Sequence, residues 1–371
     1  MEKHDVIIIG GGPAGATLAH FLGEYNIESL VIEKGHHFRD KVCAGGLPKG
    51  IFSILPVSVK DNFSYSSYKL FKVFYKGKLV ASEIFDKPFA YGVMRDQFDE
   101  HLRQGITIHY NEKFVSYEEN KNGIVVKTDK NIYKGKLLVG ADGIGSMVSV
   151  LSGLNKKTKI VIAEEKEIPK KDHEESLNVF LGDFPLGYGW KFNKDNVSSV
   201  GAGALKKHYK KGLSNLIDNT YTLVKTYPIS LWDRDISLFK GRIVLVGEAG
   251  SIVDPFNAAG IYHSIYSSKL LAESIKENFE RGIISFENYI EKLSETIFEE
   301  FKYALILSSA FYPMLPLLGN VVFKPHILEF IANAQNESGY LSYKSVFERF
   351  SKSKHIEVKI ALFILKLLKI V

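Results

Sequence analysis

"DVIIIGGGPAGATLAHFLGEYNIESLVIEKG", residues 5–35, decides the fold. Val6–Ile9 is a short run of β-branched apolar residues, the composition of a buried strand. Gly10, Gly12 and Gly15 follow at GxGxxG spacing, with Ala14 inside the turn. "ATLAHFLGEY" then has helical periodicity, and "SLVIEKG" is a second strand ending at Glu33 and Lys34. Gly10 permits the tight turn, Gly12 lets a pyrophosphate approach the backbone, and Gly15 lets helix and strand pack closely. The helix start offers free N–H groups and a partial positive charge to phosphates. Glu33, eighteen residues after Gly15, is placed to accept hydrogen bonds from a ribose diol. A dinucleotide is implied, without saying which one.

Three further stretches bear on that choice. "KLLVGADGIGS" (136–146) is an apolar strand running into Gly140, Asp142 and Gly143. "GRIVLVGEAGSIVDPFNAAGI" (241–261) is another, reaching Gly247, Glu248 and Gly250, then a proline-containing loop, then a helix from about Ala258. "YGVMRDQFDEHL" (91–102) reads as a short strand followed by Arg95 opening an amphipathic helix. In this order the stretches resemble the FAD-binding motifs of flavoprotein hydroxylases and their relatives. The resemblance implies cofactor contacts for Asp142, Gly143 and Arg95, and a ribityl contact for Glu248, where the family usually has Asp. It also implies a backbone contact to adenine from Val115. Independently, a helix starting near Gly260 and Ile261 and aimed at the flavin would stabilise negative charge on the reduced ring through its dipole. "ITIHY", "KFVSYEE", "GIVVKT" and "NIYKG" alternate as a small antiparallel meander.

Two stretches narrow the resemblance. In "DKVCAGGLPKG" (40–50), Lys41, Cys43, Gly45 and Gly46, with Ala44 between, match the Lys-x-Cys-plus-glycines element of geranylgeranyl reductases. A glycine doublet beside a cysteine suits a backbone lying against a flat ring. In "FPLGYGWKFNKDN" (184–196), Pro185, Tyr188, Trp190 and Phe192 match that family's Pro-x-x-Tyr-x-Trp-x-Phe-Pro element, with Asn193 in place of the last proline. As a strand it puts the three aromatics on one face. The chain is thus similar to geranylgeranyl reductases over about residues 4–300. The resemblance implies a flavin-dependent alkene reductase, with the aromatic face holding an isoprenoid chain at roughly 0.8 kcal/mol per buried CH₂. Most weight falls on chains of membrane glycerophospholipid precursors. Cys43 and Tyr188 are the candidate proton donors. A flavin monooxygenase or halogenase on an apolar substrate, or a non-catalytic prenyl-lipid carrier, would share these features. No second GxGxxG follows a strand, so the electron donor stays open among NAD(P)H, a ferredoxin and a quinol, which makes an electron-transfer protein one possible partner.

The 371 residues suit two domains. The expected class is α/β (α+β overall). A Rossmann-type FAD-binding domain (1–150 and 235–275) would carry an inserted antiparallel β-sheet substrate domain (150–235). A helical C-terminal region (276–371) would follow. The single cysteine excludes an internal disulfide. No metal site and no nucleic-acid partner are expected. Met1 stands four residues ahead of the first strand, leaving no room for a signal peptide. "YALILSSAFYPMLPLLGNVVF" (303–323) is uncharged, but its prolines predict broken helices rather than a span. From Lys344 onward seven cations face two acids, and the end, "KIALFILKLLKIV", is apolar with spaced lysines. A cytoplasmic protein held peripherally on the inner face of the membrane through this basic helix is the expectation.

Overall fold

The computed structural model describes residues 2–36, 41–154, 158–171, 174–322 and 342–352. The basic apolar end, residues 353–371, lies outside the described residues, and so do its proposed membrane contacts.

The opening motif folds as read. Strand Glu2–Ile9 pairs in parallel with Ser29–Ile32 on one side and Ile132–Gly140 on the other, and Ile243–Leu245 extends the sheet beyond. Val6–Ile9, Leu30–Ile32 and Leu137–Gly140 are fully buried, because a parallel sheet covered on both faces leaves no strand a wet side. Helix Pro13–Glu24 starts at Gly12 with a proline in its first turn. It packs against helix Ile261–Glu280, with Ser268 Oγ donating to the Ala14 carbonyl at 2.8 Å.

The meander is smaller than the alternation suggests. Ile108–His109 adds in parallel to Ser29–Ile32, at the edge of the nucleotide sheet. The antiparallel part is the hairpin Phe114–Asn120 and Gly123–Thr128. It pairs with the first half of Ile132–Gly140, whose second half is the central parallel strand. One strand therefore serves both layers, alternating where it pairs with the hairpin and continuously buried where helices cover it.

The second sheet has seven strands, in the order Lys225–Ser230, Ile160–Pro169, Val197–Leu205, Gly187–Lys194, Ser176–Leu181, Leu70–Tyr75 and Lys78–Ile84. Its last two strands come from within residues 1–150, joined by parallel pairing of Leu70–Tyr75 with Ser176–Leu181. A third, three-stranded sheet (Gly46–Pro48, Ala90–Gly92, Ser66–Tyr68) is formed by residues on both sides of Leu70–Ile84 in sequence. The C-terminal part is helical: Glu287–Glu295, Ile297–Val322 and Tyr343–Lys352. Residues 303–322 form no broken pair but the end of one continuous helix that carries Pro313 and Pro316 within it. Each proline removes one helical N–H, and packing on the seven-stranded sheet through Phe311, Tyr312 and Leu315 offsets that loss. Among the described residues, no helix is long and apolar enough to cross a membrane.

Candidate active site

The dinucleotide cradle is built by close approach. A Cβ on Gly15 would stand 1.9 Å from the Gly10 carbonyl oxygen, and one on Gly10 2.5 Å from that of Ala141. Gly10 also holds φ at +105°, so side chains are excluded on both counts. No side chain caps helix Pro13–Glu24, which leaves its first backbone N–H groups for an anion. Glu33 is buried and accepts from the N–H groups of Gly11 (2.7 Å) and Gly35 (2.8 Å). A carboxylate has about four acceptor sites, so the diol role expected of it is compatible with both bonds. Lys34 beside it is exposed. Arg103, which the sequence reading passed over, reaches the same turn: its Nε donates to the Gly11 carbonyl at 2.7 Å. Val115 is exposed at the start of its hairpin, just beyond the segment Asn111–Glu112 that bonds Gly35 and Glu33.

At the other end of the cradle the later motifs converge. Lys41 Nζ lies 3.5 Å from Glu248 Oε2 and 4.9 Å from the centre of the Tyr227 ring. The Tyr227 hydroxyl donates to the same Glu248 oxygen at 3.2 Å. Both Glu248 Oε2 and that hydroxyl come within 3.6 Å of where a Gly143 Cβ would be. Asp142 is engaged locally, with Oδ2 accepting the Met147 N–H at 2.8 Å, and burial raises its pKa. Helix Ile261–Glu280, like the first, has no side-chain cap, and Gly260 stands at its N-cap.

The Cys43–Gly46 segment meets residues from two other places in the chain. Arg95 is buried and makes a two-pronged ion pair with Asp99 (3.0 and 2.9 Å). Burial opposes the Arg95 charge, and Asp99 and Cys43 outweigh it, so its pKa is raised. The glycine doublet has reasons inside the protein. Gly45 adopts φ +68° with its Cβ position 2.1 Å from the Val93 carbonyl oxygen. Gly46 makes room for Phe192, whose ring edge is 2.8 Å from the Cβ position.

The aromatic face is real and has counterparts. Tyr188 and Trp190 lie 5.9 Å apart between ring centres, and Phe192 is 6.0 Å from Tyr68. Opposite them in register stand Gly203, Gly201 and Ser199. The indole of Trp190 covers Gly201, with Cζ2 only 2.2 Å from that residue's Cβ position. Helix Ile297–Val322 adds Phe311, Tyr312 and Leu315 beside Tyr188, completing an apolar wall. Pro185, by contrast, is exposed in the turn before the strand. The Tyr188 pKa is raised by burial, then by the charges of Asp254 and Cys43.

Three tyrosines from different elements hold the loop before helix Ile261–Glu280. Tyr188 donates to the Asn257 carbonyl (2.6 Å), Tyr312 to that of Phe256 (2.8 Å) and Tyr343 to Asp254 Oδ2 (2.7 Å). Asp254 is buried and its pKa is pushed up to about 6 by burial, against the donors Tyr343, Phe256 and Asn257. His263 is lowered to about 4 by burial, and so is neutral at pH 7. Neither Asp254 nor the two tyrosines beyond Tyr188 could be placed here without knowing which loop they meet. Among the described residues, no cluster of side chains could hold a metal ion.

Comparison with known proteins agrees with this geometry. The family model described as FAD binding domain matches residues 3–63. A digeranylgeranylglycerophospholipid reductase from Thermoplasma acidophilum is 27% identical over 341 residues, 81% of this chain and 85% of that protein. A chloroplastic geranylgeranyl diphosphate reductase from Nicotiana tabacum is 26% identical over 359 residues, covering 84% of this chain and 75% of the relative. Among solved structures, a geranylgeranyl bacteriochlorophyll reductase-like protein from Thermoplasma acidophilum superposes with a TM-score of 0.77 over 100% of both chains. At 22% identity that likeness speaks for the fold. The glycine cradle, the uncapped helix starts and the Lys41–Glu248–Gly143 convergence fit the same cofactor as the family model. The chain is an FAD-dependent oxidoreductase, a flavoprotein with geranylgeranyl reductases among its relatives.

Proposed function

We propose that the protein saturates isolated double bonds in geranylgeranyl chains, most naturally those of membrane glycerophospholipid precursors. The observation that carries the proposal is the wall of Tyr188, Trp190 and Phe192, which meets the Cys43–Gly46 segment through Phe192 and the Asp254–Gly260 loop through Tyr188. The names of the relatives support the same chemistry. Bound and reduced, FAD supplies a hydride. The protein's own part is to hold the chain, exclude water and place a proton. An isoprenoid has no polar handle along its length, so burial against the aromatics and Phe311, Tyr312 and Leu315 both binds and orients it. Cys43, two residues before the Gly45–Gly46 pair that Phe192 packs against, is the group proposed to place the proton on the chain. Tyr188 fits that role less well, since its surroundings resist ionisation and its hydrogen is committed to Asn257.

The test is anaerobic. Purified protein reduced with dithionite is mixed with a geranylgeranyl glycerophospholipid, and the lipid mass is followed. Gain of hydrogen in pairs, one per double bond, is expected. A reduced flavin that leaves the lipid mass unchanged would overturn the proposal. Cys43→Ala should keep its flavin and lose most turnover.

A further inference from the structure

The loop that joins strand Val197–Leu205 to the edge strand Lys225–Ser230 has no place in the account so far. Two side chains of strand Ile160–Pro169 hold it down, both buried and both charged. Glu164 accepts from the Gly212 N–H (2.9 Å) and the Tyr209 hydroxyl (2.8 Å). Lys166, two residues on and so on the same face, donates to Asn215 Oδ1 (2.7 Å) and to the Thr220 carbonyl (3.0 Å). Between these ties Leu213 joins Phe184, Ala202 and Ala204 in a small core, with Ile217 packed against it. Gly189 leaves the space, since a Cβ there would stand 2.5 Å from Ile217 Cδ1. This face is the reverse of the one that carries Tyr188 and Trp190, which alternate with Gly189 along their strand.

What the loop turns outward differs from what it buries. Leu216 is 62% exposed, Leu223 71%, and Tyr221 is fully exposed. Isolated apolar side chains on a surface are ordinary, but these three fall within eight residues of a loop fixed from beneath. Lys206, Lys207, Lys210 and Lys211 are exposed in the same loop, and from Lys206 to Lys225 five cations stand against one acid, Asp218. Asp218 lies 3.8 Å from Lys171, which offsets its charge. Fixed apolar tips among cations match an anionic lipid surface: leucine and tyrosine enter the headgroup boundary, and lysine stems reach along it to the anionic groups. All five cations are lysine and none is arginine. Lysine is depleted and arginine enriched where proteins dock on proteins, so the composition favours a membrane over an acidic protein.

We propose that residues 206–224 are a membrane-docking loop, which sets Leu216, Tyr221 and Leu223 into the headgroup layer of an anionic bilayer and is drawn there by its lysines. Because Glu164 and Lys166 fix the loop before it meets lipid, little ordering is lost on binding. The loop lies on the far side of the sheet from the aromatic wall, so docking does not depend on the alkene-reductase reading. It is also separate in sequence from the basic apolar end of the chain, which every loop variant retains unchanged.

The test is flotation of the FAD-loaded full chain with vesicles of phosphatidylcholine, alone or with about 30% phosphatidylglycerol. The parent should float with the anionic vesicles, stay behind with the neutral ones, and be released by about 0.5 M salt. Leu216→Ser combined with Leu223→Ser, and separately Lys207→Gln combined with Lys210→Gln, should each lower the partition at least about tenfold. Both variants should keep the parent's flavin content and unfolding midpoint, since the changed side chains point into water. Tyr221→Trp should add emission that anionic vesicles shift to the blue and brominated lipid quenches, over the background of the buried Trp190 and Trp232. A parent that ignores anionic vesicles overturns the proposal. So do loop variants that float like the parent, which would assign the contact to another surface, and added emission that lipid leaves unchanged. Binding of an acidic protein by the loop, with none to vesicles, would overturn it in favour of a protein partner.

Discussion

Gly201→Ala tests the aromatic wall at its tightest point. The added Cβ would lie 2.2 Å from Trp190 Cζ2, 2.4 Å from Cε2 and 2.5 Å from the Glu164 carbonyl oxygen. Carbon atoms in contact settle at about 3.5–4.0 Å, so the indole must retreat by more than about 1 Å. It has little room, being 6% exposed with Tyr188 packed beside it. The carbonyl belongs to the next strand, so the other escape is to spread the sheet. Overpacking of this kind costs about 1–3 kcal/mol. Expulsion of the indole from its site would approach the about 3–5 kcal/mol seen when a large aromatic is lost from a core. Three readouts separate the causes: flavin retained after desalting, the unfolding midpoint, and turnover on a geranylgeranyl lipid. We expect full flavin occupancy, since the cofactor cradle is formed by other strands. We also expect a lowered unfolding midpoint and turnover reduced at least about tenfold, the equivalent of about 1.4 kcal/mol in the barrier. Gly23→Ala is the control: its Cβ meets nothing within 4 Å, and alanine in a helix is better by about 0.5–1 kcal/mol. If Gly201→Ala matches the parent in stability, tryptophan emission and turnover, the packing argument is wrong.

Gly15→Val should yield a protein that retains no flavin after desalting, because a Cβ 1.9 Å from the Gly10 carbonyl forces the first turn open; a yellow protein would contradict the cradle as described. Glu164→Ala should expose the segment Tyr209–Asn215 to limited proteolysis. Glu164 accepts from Ser214 N–H (2.5 Å), Gly212 N–H (2.9 Å) and Tyr209 Oη–H (2.8 Å), and bonds to a charged group are worth about 1.5–3 kcal/mol each. Parent-like protease resistance would show that the rest of the loop holds itself. Asp254, raised to about 6 by burial, binds its proton more tightly folded than unfolded. Its contribution to stability is therefore fully present below about pH 4, declines between about pH 4 and 6, and is level above. Unfolding midpoints of the parent minus those of Asp254→Asn should fall across that window, and a difference rising with pH would reverse the assignment.

Much of this site could be read before any tertiary contact was known. Gly10, Gly12, Gly15 and Glu33 are local features: turn geometry and strand ends make their spacing meaningful within one strand–helix–strand unit. Lys41, Gly143 and Glu248 were legible as members of a set, although which touches which was not. The place of Gly201 carried no signal, since only the folded sheet sets it opposite Trp190. The glycine doublet shows a reason only contacts reveal: Gly46 is small because Phe192, from a distant strand, occupies the space beside it.

By itself, the sequence determined the nucleotide-binding unit, the choice of FAD and the aromatic strand, because each depends on residues close in the chain or on a set of motifs in order. Only the tertiary structure decided that Leu70–Ile84 extends the sheet of residues 160–230, and that residues 303–322 end one continuous helix. It alone decided that Tyr188, Tyr312 and Tyr343 fasten one loop, and that the Trp190 indole covers Gly201 of the neighbouring strand. Local spacing sets backbone geometry, which few neighbours can override. Strand pairing and burial depend on which distant surfaces exclude water together, and no short stretch of sequence carries that information.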